Sequence, residues 1–407
     1  MPTAMPMKLL LVGLVVMAGA LGVACNPSPT PGGTAPSGLV DDGAIQALPW
    51  VGRGGLIDRD CCGDTIWGVS GHKSKELLEC WKWQAGLLEK AGRVEFAEKF
   101  TVFNVALAGG GRFFTHEDYG GPDTWLMYAL VARDIESHAE VGRWEREVIT
   151  ESTETRISSK TWNVRQVHSS ANGNYVALAY QPEDGGGRSP LYKIRLLQAA
   201  ALTMSDAIVL GGDGKYNADC VRRVVPSDDG AYVAVAGWNN GVAMIDVKQK
   251  KVLWSIRPPS EVSTKYAVFG PGNEVIYAGG SEGCVYEMAV ADGKILGRWF
   301  ASPTGKSEYG HRISAITLSP DGKYVAAGTG PQGLVFVIEP KTGKTVKVLN
   351  HGGSTISLVH FSPDSKRLAS FAAGVLKVWQ IAPPEPTEAA PVPAPRATPK
   401  PGERHDE

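Results

Sequence analysis

The chain has 407 residues, 49 of them glycine, and its 41 lysines and arginines nearly cancel its 42 aspartates and glutamates. A formal net charge of −1 leaves no basic excess to neutralise phosphates, which argues against a nucleic-acid partner. The length allows either two ordinary domains or one large all-β domain.

The first element is a targeting segment. Lys8 precedes Leu9–Val23, fifteen residues without a charge, too short to favour a spanning helix and suited to the apolar core of a signal peptide. It ends in LGVAC, and Cys25 is followed by NPSPTPGGTAPSG. This stretch resembles a bacterial lipoprotein signal, which implies a signal peptide over 1–24 and lipidation of Cys25. It departs from that pattern at Gly22, where a leucine-like residue is usual. The alternative is an ordinary secretory signal cleaved near Ala24. Both predict export, to the cell membrane or outer membrane if lipidated and otherwise to the periplasm or medium. Residues 26–38 hold four prolines and three glycines, so 25–43 reads as a flexible tether.

From 44 to 382 the chain repeats itself. Copies occur at 59–68 (RDCCGDTIWG), 104–115 (NVALAGGGRFFT), 167–180 (VHSSANGNYVALAY), 224–237 (VVPSDDGAYVAVAG), 268–280 (VFGPGNEVIYAGG), 316–328 (ITLSPDGKYVAAG) and 359–370 (VHFSPDSKRLAS). Their turn residues, Gly63, Gly111, Gly173, Gly230, Asn273, Gly322 and Ser365, stand 43 to 62 residues apart. Self-similarity at such a period signals a propeller or a solenoid. The sixth copy shows the unit best. Ile316 and Leu318 alternate in strand a, Pro320-Asp-Gly322 turns the chain, and Tyr324–Ala327 forms strand b. A glycine-bearing connection that includes Gly328, Gly330 and Gly333 leads to strand c at Leu334–Ile338, and Thr345–Leu349 forms strand d. Strand b is small and apolar in most copies, so each sheet needs a neighbour on both faces and the units must stack around an axis.

These residues resemble the WD40-type β-propeller family in a degenerate bacterial form, well over 160–382 and weakly over 44–159. The family's strand-c ending, Trp-Asp, survives as Trp379-Gln380 and in Trp83-Gln84, but its tryptophan position holds Ile245, Met288 and Ile338 elsewhere. The resemblance therefore implies that the family's His…Ser/Thr…Trp hydrogen-bond network is broken in most blades, with His311 as its best remnant. The last copy lacks a strand d, and AIQALPWV (44–51) has the right length to supply it, with Pro49 tolerable on an edge strand. The expected fold is an all-β propeller of seven four-stranded antiparallel blades, closed by the N-terminal strand. A rival reading takes 74–100 as a helix, since apolar residues fall at 77, 78, 81, 85 and 88, and leaves six blades. Beyond 382, eight prolines and no large apolar residue predict a disordered tail over 383–407.

Several patterns invite chemistry and are better read as structure. Gly328-x-Gly330-x-x-Gly333 has dinucleotide-binding spacing but is followed by a strand, not a helix. Gly279-x-Ser281-x-Gly283 fails the serine-hydrolase requirement in the same way. The histidines never fall at metal-ligand spacing, and His168 and His360 share one repeat position as core or channel residues. Cys61, Cys62 and Cys80 allow a disulfide, either vicinal or from one of the pair to Cys80, while Cys284 reads as a buried thiol. Blades 2 and 3 have long b–c connections (115–125 and 181–190), which gather Glu117, Asp118, Tyr119, Asp123, Glu183 and Asp184 on the b–c/d–a face as candidate binding loops. The resulting reading is a non-catalytic, lipid-anchored scaffold of the cell envelope that binds a protein or other macromolecule and uses no cofactor or metal. The alternative is a lactonase-like propeller hydrolase with a metal in the central channel. A quinone-cofactor propeller is a remoter option, suggested by the vicinal cysteines and by Asp…Gly-Lys…Trp pieces that resemble those of quinoprotein alcohol dehydrogenases.

Overall fold

The small apolar segments that define the repeat become, in the computed structural model, the second strands of seven successive sheets. The structure describes residues 40–41, 43–49, 56–72, 75–95, 101–109, 112–118, 127–145, 148–153, 156–182, 192–210, 221–237, 241–256, 264–302 and 312–381. Blade 1 runs Leu56–Cys62, Thr65–His72, Lys75–Gln84 and Leu87–Glu95, as strands a to d; blade 2 runs Thr101–Ala108, Arg112–Asp118, Met127–Asp134 and Glu140–Glu145. Blade 3 is Arg156–Ser169, Tyr175–Pro182 and Tyr192–Gln198, with a fourth strand split into Thr203–Met204 and Ile208–Leu210. Blade 4 is Val221–Pro226, Tyr232–Gly237, Gly241–Asp246 and Lys251–Ile256; blade 5 is Thr264–Phe269, Val275–Gly280, Cys284–Ala289 and Ile295–Phe300. Blade 6 is Arg312–Leu318, Val325–Gly330, Leu334–Glu339 and Lys344–Asn350, and blade 7 has Leu358–Phe361, Arg367–Ala372 and Val375–Gln380.

The missing strand of blade 7 is Gln46–Pro49, paired antiparallel with Val375–Val378. Its Gln46 side chain also clasps blade 1: Nε2 donates to the Leu88 carbonyl at 3.0 Å and Oε1 accepts from the Leu88 N–H at 2.9 Å. Just before it, Val40–Asp41 adds a parallel edge to strand d of blade 6, so pairing begins inside the stretch read as tether.

Burial follows from the stacking. The fully buried side chains fall into seven apolar clusters, and each joins two consecutive blades. The cluster of Ile66, Trp81, Leu88, Phe371, Leu376 and Val378 joins blade 7 back to blade 1, so the ring is closed. Close approach explains the glycines. A Cβ on Gly328 would lie 2.4 Å from Ile356 Cγ2 of the next blade, and one on Gly279 would lie 2.5 Å from Ile313 Cγ2. Outside, Trp299 of blade 5 packs against Gly343 in the c–d turn of blade 6, where φ is +68° and a Cβ would lie 2.6 Å from the indole. Trp254 of blade 4 does the same on blade 5 and donates its Nε1–H to the Val290 carbonyl at 2.7 Å. The Gly-Lys and Trp pieces are thus blade-to-blade docking points.

Three expectations need correction. The described part of the 74–100 segment, residues 75–95, is a β-hairpin of Lys75–Gln84 with Leu87–Glu95 and not a helix. Its apolar residues serve two faces: Trp81 and Leu88 pack toward blade 7, Leu78 and Cys80 toward blade 2. The b–c connection of blade 6 is shorter than expected, because Gly328 and Gly330 belong to strand b and only Pro331–Gly333 turns the chain. A Cys61–Cys80 bridge does not form. Both residues are thiols, and they lie on opposite faces of blade 1, Cys61 toward blade 7 and Cys80 toward blade 2. The Cys62 side chain and all of 1–24 and 383–407 lie outside the described residues.

Candidate functional site

The repeated Ser-x-Asx turn shapes one end of the ring. Ser227, Ser319 and Ser362, each almost fully buried, donate to Asp229, Asp321 and Asp364 at 2.6, 2.7 and 2.5 Å. Each serine oxygen accepts a backbone N–H from five residues on, and each carboxylate accepts one from two residues on. Ser170 with Asn172 repeats the arrangement in blade 3. Burial alone would raise the pKa of these aspartates, but the hydroxyl and N–H bonds outweigh it and hold all three below the usual value. Those carboxylates are committed to the turns and are unsuited to general-base work. Positive φ at Gly63, Gly173, Gly230, Asn273, Gly322 and Ser365 places the turn residue where the repeat expected it.

Around the axis these turns rim a cavity of about 550 Å³. Its floor is the ends of the a strands, with Val225, Phe269, Ile316, Leu318 and Phe361, and Pro226, Pro271, Pro320 and Pro363 stand on the rim. The polar lining includes Asp64, Arg223, Thr317 and His360. Asn172 ties blade 3 to blade 4 through its N–H to Asp228 Oδ1 (2.9 Å) and its Nδ2 to the Asp228 carbonyl (3.0 Å). The blade 1 turn leans inward, with Gly63 N–H on the Ala171 carbonyl at 2.9 Å and its own carbonyl 3.1 Å from His360 Nε2. His360 lines the cavity, as its repeat position suggested, and His168 bonds to Gln166 at 3.1 Å. Among the described residues, no three His, Cys, Asp or Glu side chains converge as a metal site. An apolar floor with a proline rim suits an extended segment that is largely apolar.

The opposite, b–c/d–a face carries the candidate binding loops. Glu117 and Asp118 end strand b of blade 2, opposite Ala129 and Met127. Tyr119, Asp123, Glu183 and Asp184 lie outside the described residues. The connection from blade 2 to blade 3 on this face is itself a hairpin: Val148–Thr153 pairs with Arg156–Thr161, beyond the point where strand a leaves its blade partner at Trp162–Pro182.

Burial disfavours the thiolate at two cysteines. Burial pushes Cys284 up to about 11, against the Arg298 guanidinium that donates to its sulfur at 3.3 Å. Burial likewise raises Cys80 well above the ordinary thiol value.

His311 lies outside the described residues, and among those described a hydrogen-bond remnant lies in blade 7. Trp379 Nε1 donates to Ser370 Oγ at 2.8 Å, and His351 meets the indole edge-on with ring centroids 6.3 Å apart. The overlooked signal was HGG at 351–353, just ahead of the blade's strand a, in the reverse order of the usual Gly-His. Burial, and then the Lys377 ammonium, holds the His351 pKa below 6.5 despite neighbouring carbonyls that raise it. A folded pKa below the unfolded one means that stability is complete above pH 6.5 and declines as pH falls from there through the folded value. Urea unfolding between pH 7.5 and 4.5 should show this decline, and it should be shallower in His351→Gln.

Comparison with known proteins bears on this architecture. No family model matches the chain. It is 27% identical over 149 residues to an uncharacterized WD repeat-containing protein of Synechocystis sp., covering 36% of this chain and 39% of that one. It is 34% identical over 110 residues to SEC12-like protein 2 of Arabidopsis thaliana, covering 26% of each. The chain thus spans less than two fifths of the curated relatives it matches. Among solved structures, the Cps50 (Swd1) β-propeller domain of Myceliophteria thermophila matches with a TM-score of 0.58 and 12% identity, over 84% of this chain and all of that one. The relatives support a WD40-type propeller. At that identity the structural match speaks for the fold alone.

Proposed function

We propose that this WD40-type propeller is a non-catalytic binding scaffold of the cell envelope, exported by its N-terminal signal and lipid-anchored at Cys25. It engages a protein partner through the b–c/d–a face of blades 2 and 3. The hairpin of Val148–Thr153 with Arg156–Thr161 carries this reading, because it extends from a rigid ring on the face where the long acidic connections also lie. Support for a protein ligand comes from the WD-repeat relative.

Site-specific photocrosslinkers placed in the hairpin, at Thr150 or Ser158, should capture one protein of the intact envelope. The same probe on the outer strand of blade 5, at Leu296, should not. Equal capture at both positions would overturn the assignment of the face. Lipidation is tested separately. Cys25→Ser should move the protein from the membrane pellet to the soluble fraction and abolish labelling by a fatty-acid probe; continued membrane retention would exclude this anchor.

A further inference from the structure

We propose that residues 389–395, the AAPVPAP stretch of the C-terminal segment, dock into the mouth of this chain's own channel. The point of departure is fixed by the fold. Strand c of blade 7 ends at Gln380, and the Ile381 N–H donates to the Lys366 carbonyl at 2.8 Å. Lys366 belongs to the a–b turn of blade 7, whose Pro363 stands on the cavity rim. The chain therefore leaves the ring on the face that holds the cavity, and not on the hairpin face.

Distance and composition select the segment. Strand c lies two ladder spacings outside strand a, about 10 Å from it. Residues 382–388 form a seven-residue spacer, which in a polyproline II conformation spans roughly 22 Å. That reach crosses strands b and a and delivers residue 389 to the mouth. The spacer holds Glu385 and Glu388, as suits an exposed crossing, and the next seven residues carry no charge. They comprise three alanines, three prolines and Val392, against a floor of Phe269, Ile316, Leu318 and Phe361. Arg396 follows directly, and the mouth carries both the carboxylates of Asp64 and Asp228 and the guanidinium of Arg223.

Energetics favour an intramolecular ligand of this kind. A proline-rich segment is already extended, so little conformational freedom is lost on docking. A short tether supplies an effective concentration of order millimolar, so even a weak intrinsic affinity keeps the mouth filled. The docking depends neither on the lipid anchor nor on the partner face.

The test uses the full chain, carrying the Cys25→Ser change, with p-benzoylphenylalanine in place of Val392. Irradiation should give a monomeric product cross-linked to 316–320 or 360–363. Millimolar synthetic EAAPVPAPR should reduce its yield at least several-fold. The same probe in place of Gly402 should give little of that product. The proposal is overturned if Val392 and Gly402 probes react equally, if the adducts map away from the mouth, or if they join two molecules.

Discussion

Replacing Trp379 with alanine is expected to lower the unfolding free energy by about 3–5 kcal/mol, the range for truncating a large buried aromatic. The indole is wholly buried in the cluster between blades 6 and 7, among Ala326, Val337, Leu349 and Phe361. Its Nε1–H is satisfied by Ser370, and Lys377 Nζ lies 5.6 Å from the ring centroid. Trp379→Phe should cost less, about 1–3 kcal/mol, since it keeps most of the packing but leaves the Ser370 hydroxyl without its donor. Ser370→Ala should fall in the same range, by stranding the indole N–H. The Trp379→Phe and Ser370→Ala losses should fall short of additivity when combined, because both delete one hydrogen bond. Urea titration of the three variants and the double variant checks the series. A Trp379→Ala loss below 1 kcal/mol would show that blade 7 packs otherwise.

Substituting a Gly-Ser-Gly-Ser sequence for Gln46–Pro49 should be comparably severe. The change removes the two Gln46–Leu88 bonds and the Leu48 contact between blades 7 and 1, and weakens the pairing with Val375–Val378 by installing poor strand formers. At about 1 kcal/mol for each hydrogen bond and a similar sum for the leucine, the loss is on the order of 5 kcal/mol. That is a large share of the stability of an ordinary domain. It also bares the edge of Val375–Gln380, so self-association is expected alongside the lower urea midpoint. Size-exclusion chromatography at two protein concentrations separates the effects. Gln46→Leu alone should lose about 2 kcal/mol and remain monomeric, since the strand and its cover of the edge persist.

The repeat was legible because its signals are local. A glycine or asparagine that must adopt positive φ, a serine two residues before an aspartate, and a short run of small apolar residues all lie within a dozen positions. The closing strand could be inferred because the last copy lacked a partner. What stayed hidden depends on neighbours distant in sequence. Leu78, Trp81 and Leu88 resemble a helical stripe until two flanking blades are present to take opposite faces. Gly328 looks like a loop residue until Ile356 is seen against it. His351 has its glycines after it instead of before it, and only the fold brings it to Trp379. The channel mouth has no motif of its own: its floor comes from strands of six blades.

The seam also sets an order of events in time. Within each blade strands a, b and c meet over short stretches of chain, whereas Gln46 must find Val378, more than 300 residues further on. Non-local pairing of this kind is slow, because the entropy of bringing distant segments together is lost before contacts compensate for it. During synthesis, the N-terminal strand therefore waits without a partner until the last blade has emerged. Its four residues and terminal proline make it a poor template for wrong strands in the meantime. The ring thus closes last, with a piece of chain too short to pair strongly anywhere else.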